Sequence, residues 1–172
     1  LLRTQQANRS LRPFALSSGA ASPDRTSEVW LGTTGEGLFR LDPNFLQAEP
    51  LRFGLPEPGV GALALAADGE WVAGLGLSSL RGGLSFTTSD LQRWRWIDGT
   101  IAVPLAGVRT FALATRGNRA WMGTARGLVR VWLSGSEEVT AWTALDGLPD
   151  ERVLAVAPRD ESVWIGTPRG VL

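Results

Sequence analysis

Cysteine, histidine and tyrosine are absent from this 172-residue chain, and so is lysine. Each absence removes a class of chemistry. Without cysteine there is no disulfide and no thiol nucleophile, and without cysteine or histidine the usual zinc ligands are missing. The lack of cysteine suits a reducing or an oxidising compartment equally. Every one of the 17 basic residues is arginine, and 17 acidic residues bring the net charge to zero. That balance lacks the basic footprint of a nucleic-acid binder. No apolar run approaches the ~18–20 residues of a membrane-spanning helix; the richest, over 60–77, is broken by Asp68 and Glu70. The first ten residues do not read as a signal peptide and carry no initiator methionine, so the chain reads as processed or as a segment of something longer.

What is present is a turn-rich, apolar composition: 44% hydrophobic residues with 21 glycines and 10 prolines. That is a folded chain and not a disordered one. One phrase recurs in it, as "EVWLGTTGEGLFRL" at 28–41, "RAWMGTARGLVRVW" at 119–132 and "SVWIGTPRGVL" at 162–172. Trp30, Trp71, Trp121 and Trp164 follow one another at intervals of 41, 50 and 43. A second phrase keeps the same clock: "GLPEPGVGALAL" begins at Gly54 and "GLPDERVLAVAP" at Gly147, 93 residues apart. Repeats of ~40–50 residues, each readable as four short alternating strands, are the signature of propeller blades. The third unit shows the template best, with strands expected over 108–115, 119–124, 127–133 and 139–145 and turn residues between them.

The expected fold is therefore all-β, a β-propeller or partial propeller of about four blades with four antiparallel strands each. The expected divisions are an N-terminal segment at 1–10, then blades at 11–55, 56–98, 99–145 and an incomplete fourth at 146–172. Two readings fit the truncated last unit. The N-terminal segment supplies its missing outer strand and closes a four-blade ring, or the chain is a slice of a larger propeller. Four blades is the low limit for such folds, which favours the slice.

Alternate residues of a strand share a face. Trp121 and Gly123 should thus face one neighbouring blade, and Ala120 and Met122 the other. The bulky indole sits beside a residue with no side chain, which lets the next blade approach closely. By this logic Trp30, Gly32, Trp71, Trp121, Gly123, Trp164 and Gly166 are expected to be structural, between blades.

Trp-Ile-Gly-Thr-x-x-Gly-Val, preceded by Gly-Leu-Pro-Asp-Glu-Arg-Val, resembles the two-component-regulator propeller repeat, typical of the sensory part of bacterial hybrid histidine kinases. The resemblance spans about 28–172 and is strongest in the third and fourth units. The first unit carries one extra residue between Thr33 and Gly37. The second, "WVAGLGLSSLRGGL", lacks the threonine and inserts residues before Gly82. The resemblance implies a periplasmic or extracytoplasmic setting in a bacterium. It implies no particular activity, since the same repeat also occurs in assembly, secretion and surface proteins.

Two surface features stand out as candidate sites. Loops between second and third strands carry Glu36, Arg81, Arg126 and Arg169, and propeller topology puts them on the same rim as Glu57, Asp150, Glu151 and Arg152. Arg126, Arg152 and Arg169 are the expected rim site, able to clamp a carboxylate or sulfate; the plainer reading is solvated turns with weak ion pairs. Arg93, Trp94, Arg95 and Trp96 alternate on an outermost strand, either as a packing face or as an interface anchor of the kind tryptophan and arginine favour. No catalytic residue, cofactor or metal site is expected. Adjacent carboxylates at Asp150-Glu151 and Glu137-Glu138 read as solvated turns, and "GLGLSSLRGG" opens no helix that would cradle a phosphate. The leading functional expectation is a non-catalytic protein-interaction module, a scaffold or accessory subunit of a larger and perhaps membrane-associated assembly. The alternative is an extracytoplasmic ligand-sensing domain of a two-component signalling protein, with a small molecule or glycan as ligand. Neither a nucleic-acid partner nor a membrane span is expected.

Overall fold

A computed structural model describes residues 3–4, 16–21, 29–34, 37–42, 47–51, 59–66, 71–75, 82–88, 92–99, 103–133, 138–160 and 162–172, with 3–4, 20, 47–51, 71–75 and 103 described by their backbone alone. Four sheets follow one another along the chain. Sheet one holds β1 (Arg3–Thr4), β2 (Leu16–Ala21), β3 (Val29–Thr33), β4 (Leu38–Asp42) and β5 (Gln47–Leu51). Sheet two is β6 (Val60–Leu65), β7 (Trp71–Leu75), β8 (Gly83–Thr87) and β9 (Trp94–Ile97). Sheet three is β10 (Thr110–Arg116), β11 (Arg119–Thr124), β12 (Gly127–Trp132) and β13 (Val139–Trp142). Sheet four is β14 (Ala155–Pro158), β15 (Val163–Thr167) and β16 (Gly170–Val171).

Within each sheet, successive strands pair antiparallel in chain order, which short turns make the cheapest topology. The short strand β1 departs from this. It pairs parallel to β5, with Arg3 opposite Gln47 and Thr4 opposite Ala48. It thus extends the outer edge of sheet one and adds no strand to sheet four. Among the described residues sheet four has three strands, and sheets two and three have four each.

The first strands β2, β6, β10 and β14 contact one another in series, so the sheets stand side by side and present faces to each other. Trp30 is 1% exposed; it and Leu38 are covered by Leu63, Leu65 and Trp94 of sheet two. The largest cluster joins Leu84, Phe86 and Ile97 of sheet two to Met122, Val129 and Val131 of sheet three. Leu128 and Trp121 of sheet three meet Val153, Ile165 and Val156 at the start of and within sheet four. On β11, Trp121 therefore faces sheet four and Met122 faces sheet two. Both faces are apolar because both are covered, as a blade between blades requires.

The two repeated phrases are mates across the junctions of sheets one and two and of sheets three and four. Val60 and Val153, equivalent positions 93 residues apart in the Gly-Leu-Pro phrase, are both fully buried. A Cβ added to Gly32 would lie 2.9 Å from Val60 Cγ1, and one added to Gly123 would lie 2.6 Å from the Val153 carbonyl oxygen. Real Cβ atoms do not approach that closely, so the bare backbone of Trp-x-Gly is where the next sheet's leading valine docks. The Val153 N–H donates to the Thr124 carbonyl at 3.0 Å, tying the same two segments together.

Some strands begin or end elsewhere than the sequence leads one to expect. The fourth strand of sheet three stops at Trp142 and does not reach Leu145. Thr143 instead caps a one-turn 3-10 helix, Ala144–Asp146: its side chain accepts from the Leu145 N–H, and Asp146 accepts from the Thr143 N–H. This is a reciprocal capping box, closed by Gly147 at φ 99°. In sheet one β5, Gln47–Leu51, pairs antiparallel with β4, Asp42 opposite Gln47 and Leu38 opposite Leu51.

Candidate functional site

The turn chemistry shared by three of the repeats sets where the rim arginines stand. Thr124 Oγ1 donates to the Gly127 carbonyl at 2.8 Å and accepts the Arg126 N–H at 3.1 Å. Thr167 does the same for Gly170 and Arg169, at 3.0 and 3.2 Å. Thr33 Oγ1 likewise donates to the Gly37 carbonyl at 2.7 Å. The threonine of Trp-x-Gly-Thr thus closes the tight turn from inside, and glycine accepts the positive φ the turn needs, 118° at Gly127 and 125° at Gly170. A side chain at the second turn position is left pointing outward, and in two repeats that side chain is arginine.

Of the three rim arginines, the structure brings Arg152 and Arg169 together. Asp150 Oδ1 accepts the Arg152 backbone N–H at 2.9 Å and lies 3.5 Å from Arg152 Nε, while Asp150 Oδ2 lies 3.5 Å from Arg169 Nε. Arg126 is exposed and stands outside this cluster. The Arg152 backbone N–H, with the charges of Arg152 and Arg169, holds the Asp150 carboxyl below the usual carboxylate range. Its sign follows directly. A carboxylate whose folded pKa is depressed favours the folded loop above its unfolded pKa and loses that contribution as pH falls through the folded value. The pairs are exposed, so the effect is confined to the loop. Acidification below about pH 4 is expected to raise amide exchange at 150–153 and 167–170 while the inter-sheet core stays protected. Asp150→Asn should remove that acid sensitivity, with exchange by mass spectrometry as the measurement. Of the other rim positions, Glu151 is exposed, and Glu36, Arg81 and Glu57 lie outside the described residues.

The outer strand β9 reaches both ways. Trp94 packs on Trp30 and Leu38 of sheet one. Arg95 lies on the opposite face, its guanidinium 4.5 Å from the Phe86 ring centre, and its Nη2 donates to the Leu133 carbonyl of sheet three at 3.0 Å. Trp96 is 47% exposed and Arg93 is exposed, its carbonyl accepting from Thr87 Oγ1. Two of these four residues are therefore committed to packing, and Arg93 and Trp96 remain at the surface.

Of the repeat tryptophans, Trp30 is in the core and Trp121 is partly buried. The Trp71 side chain lies outside the described residues. Trp164 differs from its equivalents: it is 55% exposed. It shares a sheet-four face with Gly166, Ala155, Ala157 and Val171, and the last three are exposed as well. A Cβ at Gly166 would be met only by Ala155 of its own sheet, whereas one at Gly32 would meet Val60 of the next sheet as well as Ser18 of its own, and one at Gly123 would meet Val153 of the next.

One feature of sheet three escaped the sequence reading. Arg119, Trp121, Arg130, Trp132 and Trp142 share the face toward sheet four. Trp121 and Trp142 stack at 5.8 Å with 22° between planes. Arg130 sits 5.4 to 5.9 Å from the centres of Trp142, Trp121 and Trp132, and Arg119 sits 4.5 Å from Trp132. This ladder walls a cleft of ≈ 940 Å³ whose far side is Val163, Ile165 and Leu172 of sheet four. Arg116 pairs with Asp160 at its end, linking the two hairpins. The sequence signal was available as period-two alternation of arginine and tryptophan across β11, β12 and β13, but only the pairing registers put the three strands' aromatics on one face.

Sheets of this kind, standing side by side and joined first strand to first strand, define a β-propeller, here an arc of four blades. The same fold is found in the extracellular domains of the "putative hybrid two component system" proteins BT3049 and BT4673 of B. thetaiotaomicron. With BT3049 the chain shares 20% identity at TM-score 0.65 over 91% of its own length and 20% of that chain. With BT4673 it shares 15% at 0.62 over 84% of its length and 18% of that chain. YCF48 bound to D1 peptide is similar at 15% identity and TM-score 0.67, covering 98% of this chain and 51% of that one. The chain thus spans about a fifth of the length of the two-component domains. No family model and no curated relative matches it. Among the described residues, no helix is long and apolar enough to cross a membrane, and no three metal-ligating side chains converge.

Proposed function

We propose that this chain is a non-catalytic β-propeller interaction module, acting as a scaffold or accessory subunit of a larger assembly in an extracytoplasmic compartment. The observation that carries the reading is the outer strand β9, where Trp96 is 47% exposed beside an exposed Arg93, the two residue types that protein interfaces favour. The structural likeness to YCF48 bound to D1 peptide is consistent with a propeller that holds polypeptide.

The test is stoichiometric co-purification from the native source. Wild-type chain should elute with its partner at a fixed ratio, and Trp96→Glu should elute alone with an unchanged melting temperature, since a half-exposed side chain contributes little to the fold. A complex that survives Trp96→Glu would remove the observation on which the reading stands. A second reading, ligand sensing ahead of a histidine kinase, is favoured by the repeat resemblance and the fold shared with two-component extracellular domains. In it Arg126, Arg152 and Arg169 would receive an anionic ligand at the rim, and Arg126→Ala with Arg169→Ala would abolish that binding without loss of fold.

A further inference from the structure

We infer that the outer edge of sheet two receives one extended segment of a partner protein, added antiparallel to β9, in which acidic and β-branched apolar residues alternate. The inference rests on the interaction-module reading and gives its surface an occupant. Three observations carry it.

The first is the direction of the backbone. The Arg93 N–H donates to Thr88 Oγ1 at 3.3 Å, and the Arg93 carbonyl accepts the Thr88 N–H at 3.2 Å, so both backbone groups turn into the sheet. Successive residues of an antiparallel ladder alternate in this respect. Trp94 and Trp96 therefore turn their N–H and C=O outward. Among the described residues, no strand pairs with β9 on that side. Sheet two has four strands and packs against sheet one on one face and sheet three on the other, so this edge belongs to a finished blade. Sheet one shows such an edge in use: β1 lies along its outer strand β5 as a fifth strand. Strand addition at an edge is a standard mode of peptide capture.

The second is the difference between the two faces of the strand. Trp94 and Trp96 share one face, and Arg93 and Arg95 the other. Trp96 is 47% exposed, and both arginines are exposed. Arg95 donates to the Leu133 carbonyl, and among the described residues neither guanidinium has a carboxylate partner. A strand laid along β9 sets every second side chain beside Trp96 and those between beside the arginines. Apolar residues suit the first set and carboxylates the second.

The third observation selects a partner over a second copy of this chain. Two copies of β9 paired edge to edge would bring arginine against arginine, which is unfavourable across strands. Arginines alone would also blunt an edge against pairing. A half-exposed tryptophan among them does the opposite, since it offers apolar area of the kind interfaces favour.

The experiment is calorimetric titration of the full chain with an acetylated, amidated eight-residue peptide of alternating glutamate and valine. Saturable 1:1 binding is expected. Replacing the glutamates by lysine, or Arg93→Glu in the protein, should weaken it tenfold or more, about 1.4 kcal/mol. Peptide residues opposite Trp94 and Trp96 aim their own N–H groups at β9. N-methylating the valine amides should therefore abolish binding, and N-methylating the glutamate amides, which point away, should leave it unchanged. Hydrogen exchange of the complex should show new protection at the Trp94 and Trp96 amides. The inference is overturned if the peptide does not bind at millimolar concentration, if the lysine peptide binds equally well, or if the two methylated peptides behave alike. It is also overturned if the chain dimerises through β9 and Trp96→Glu returns it to monomer. Peptide failure alongside a native complex still lost in Trp96→Glu would sink the added strand and leave the interaction module standing.

Discussion

Trp30→Ala is expected to cost ~3–5 kcal/mol, the range for deleting a large aromatic from a packed core, and so to consume much of the stability of a domain this size. The ring is 1% exposed and is walled by Leu38 of its own sheet and Leu63, Leu65 and Trp94 of the next. Removing it leaves a hole between two rigid sheets that cannot collapse without sliding one sheet on the other. Denaturant titration should show a lower midpoint. The same change at Trp121 is expected to cost less, because Trp121 borders the cleft and is only partly buried. At Trp164, 55% exposed, it should cost least. That order, with three tryptophans at one repeat position giving three different losses, follows from what stands on each face and not from the residue itself. Equal losses at all three positions would refute it.

Gly123→Val acts from the other side of the junction. The obstacle is backbone: an added Cβ would sit 2.6 Å from the Val153 carbonyl oxygen. Val153 is fully buried and its N–H is bonded to the Thr124 carbonyl, so the segment has no room to retreat. Overpacking of this kind costs ~1–3 kcal/mol and more when backbone must move. The expected result is separation of sheet four from sheet three, seen as loss of amide protection over 153–172 while 110–133 stays protected. Gly166→Val, whose Cβ would meet Ala155 of its own sheet at 3.2 Å, is the control and should be milder.

The fold was legible in the sequence because two phrases repeat in step, and the structure explains why they must. Trp-x-Gly on one blade and the valine after Gly-Leu-Pro on the next are two halves of one contact. The two faces of β11 were legible as well, since period-two alternation assigns Trp121 and Met122 to opposite sides. What could not be read was which faces are covered. Trp164 and Trp30 occupy the same repeat position, and what buries Trp30 is the packing of Leu63, Leu65 and Trp94 of sheet two over it, which no pattern within its own repeat records. Rim geometry was half legible. The turn threonine places Arg126 and Arg169 in equivalent positions, but the capture of Arg152 and Arg169 by Asp150 depends on how the Gly-Leu-Pro loop lies against the β15–β16 turn. The Arg130 ladder was hidden because its members come from three strands and no single stretch shows them together. The 3-10 turn after Trp142 was in the text as Thr-x-x-Asp-Gly, a capping box followed by a left-handed glycine, overshadowed by an apolar run that looked like continuing strand.

The central claim is that neighbouring sheets stack face to face, with the repeat tryptophan of one covered by strands of the next, the first and fourth of sheet two over Trp30 and the first and second of sheet four over Trp121. Nuclear Overhauser contacts measure that directly. The Trp30 indole protons should show cross-peaks to the methyl groups of Leu63 and Leu65 and to the Trp94 ring, and Trp121 should show them to Val153 and Ile165. Cross-peaks confined to each tryptophan's own sheet, or a Trp30 ring in contact with sheet three or four, would contradict the propeller arrangement.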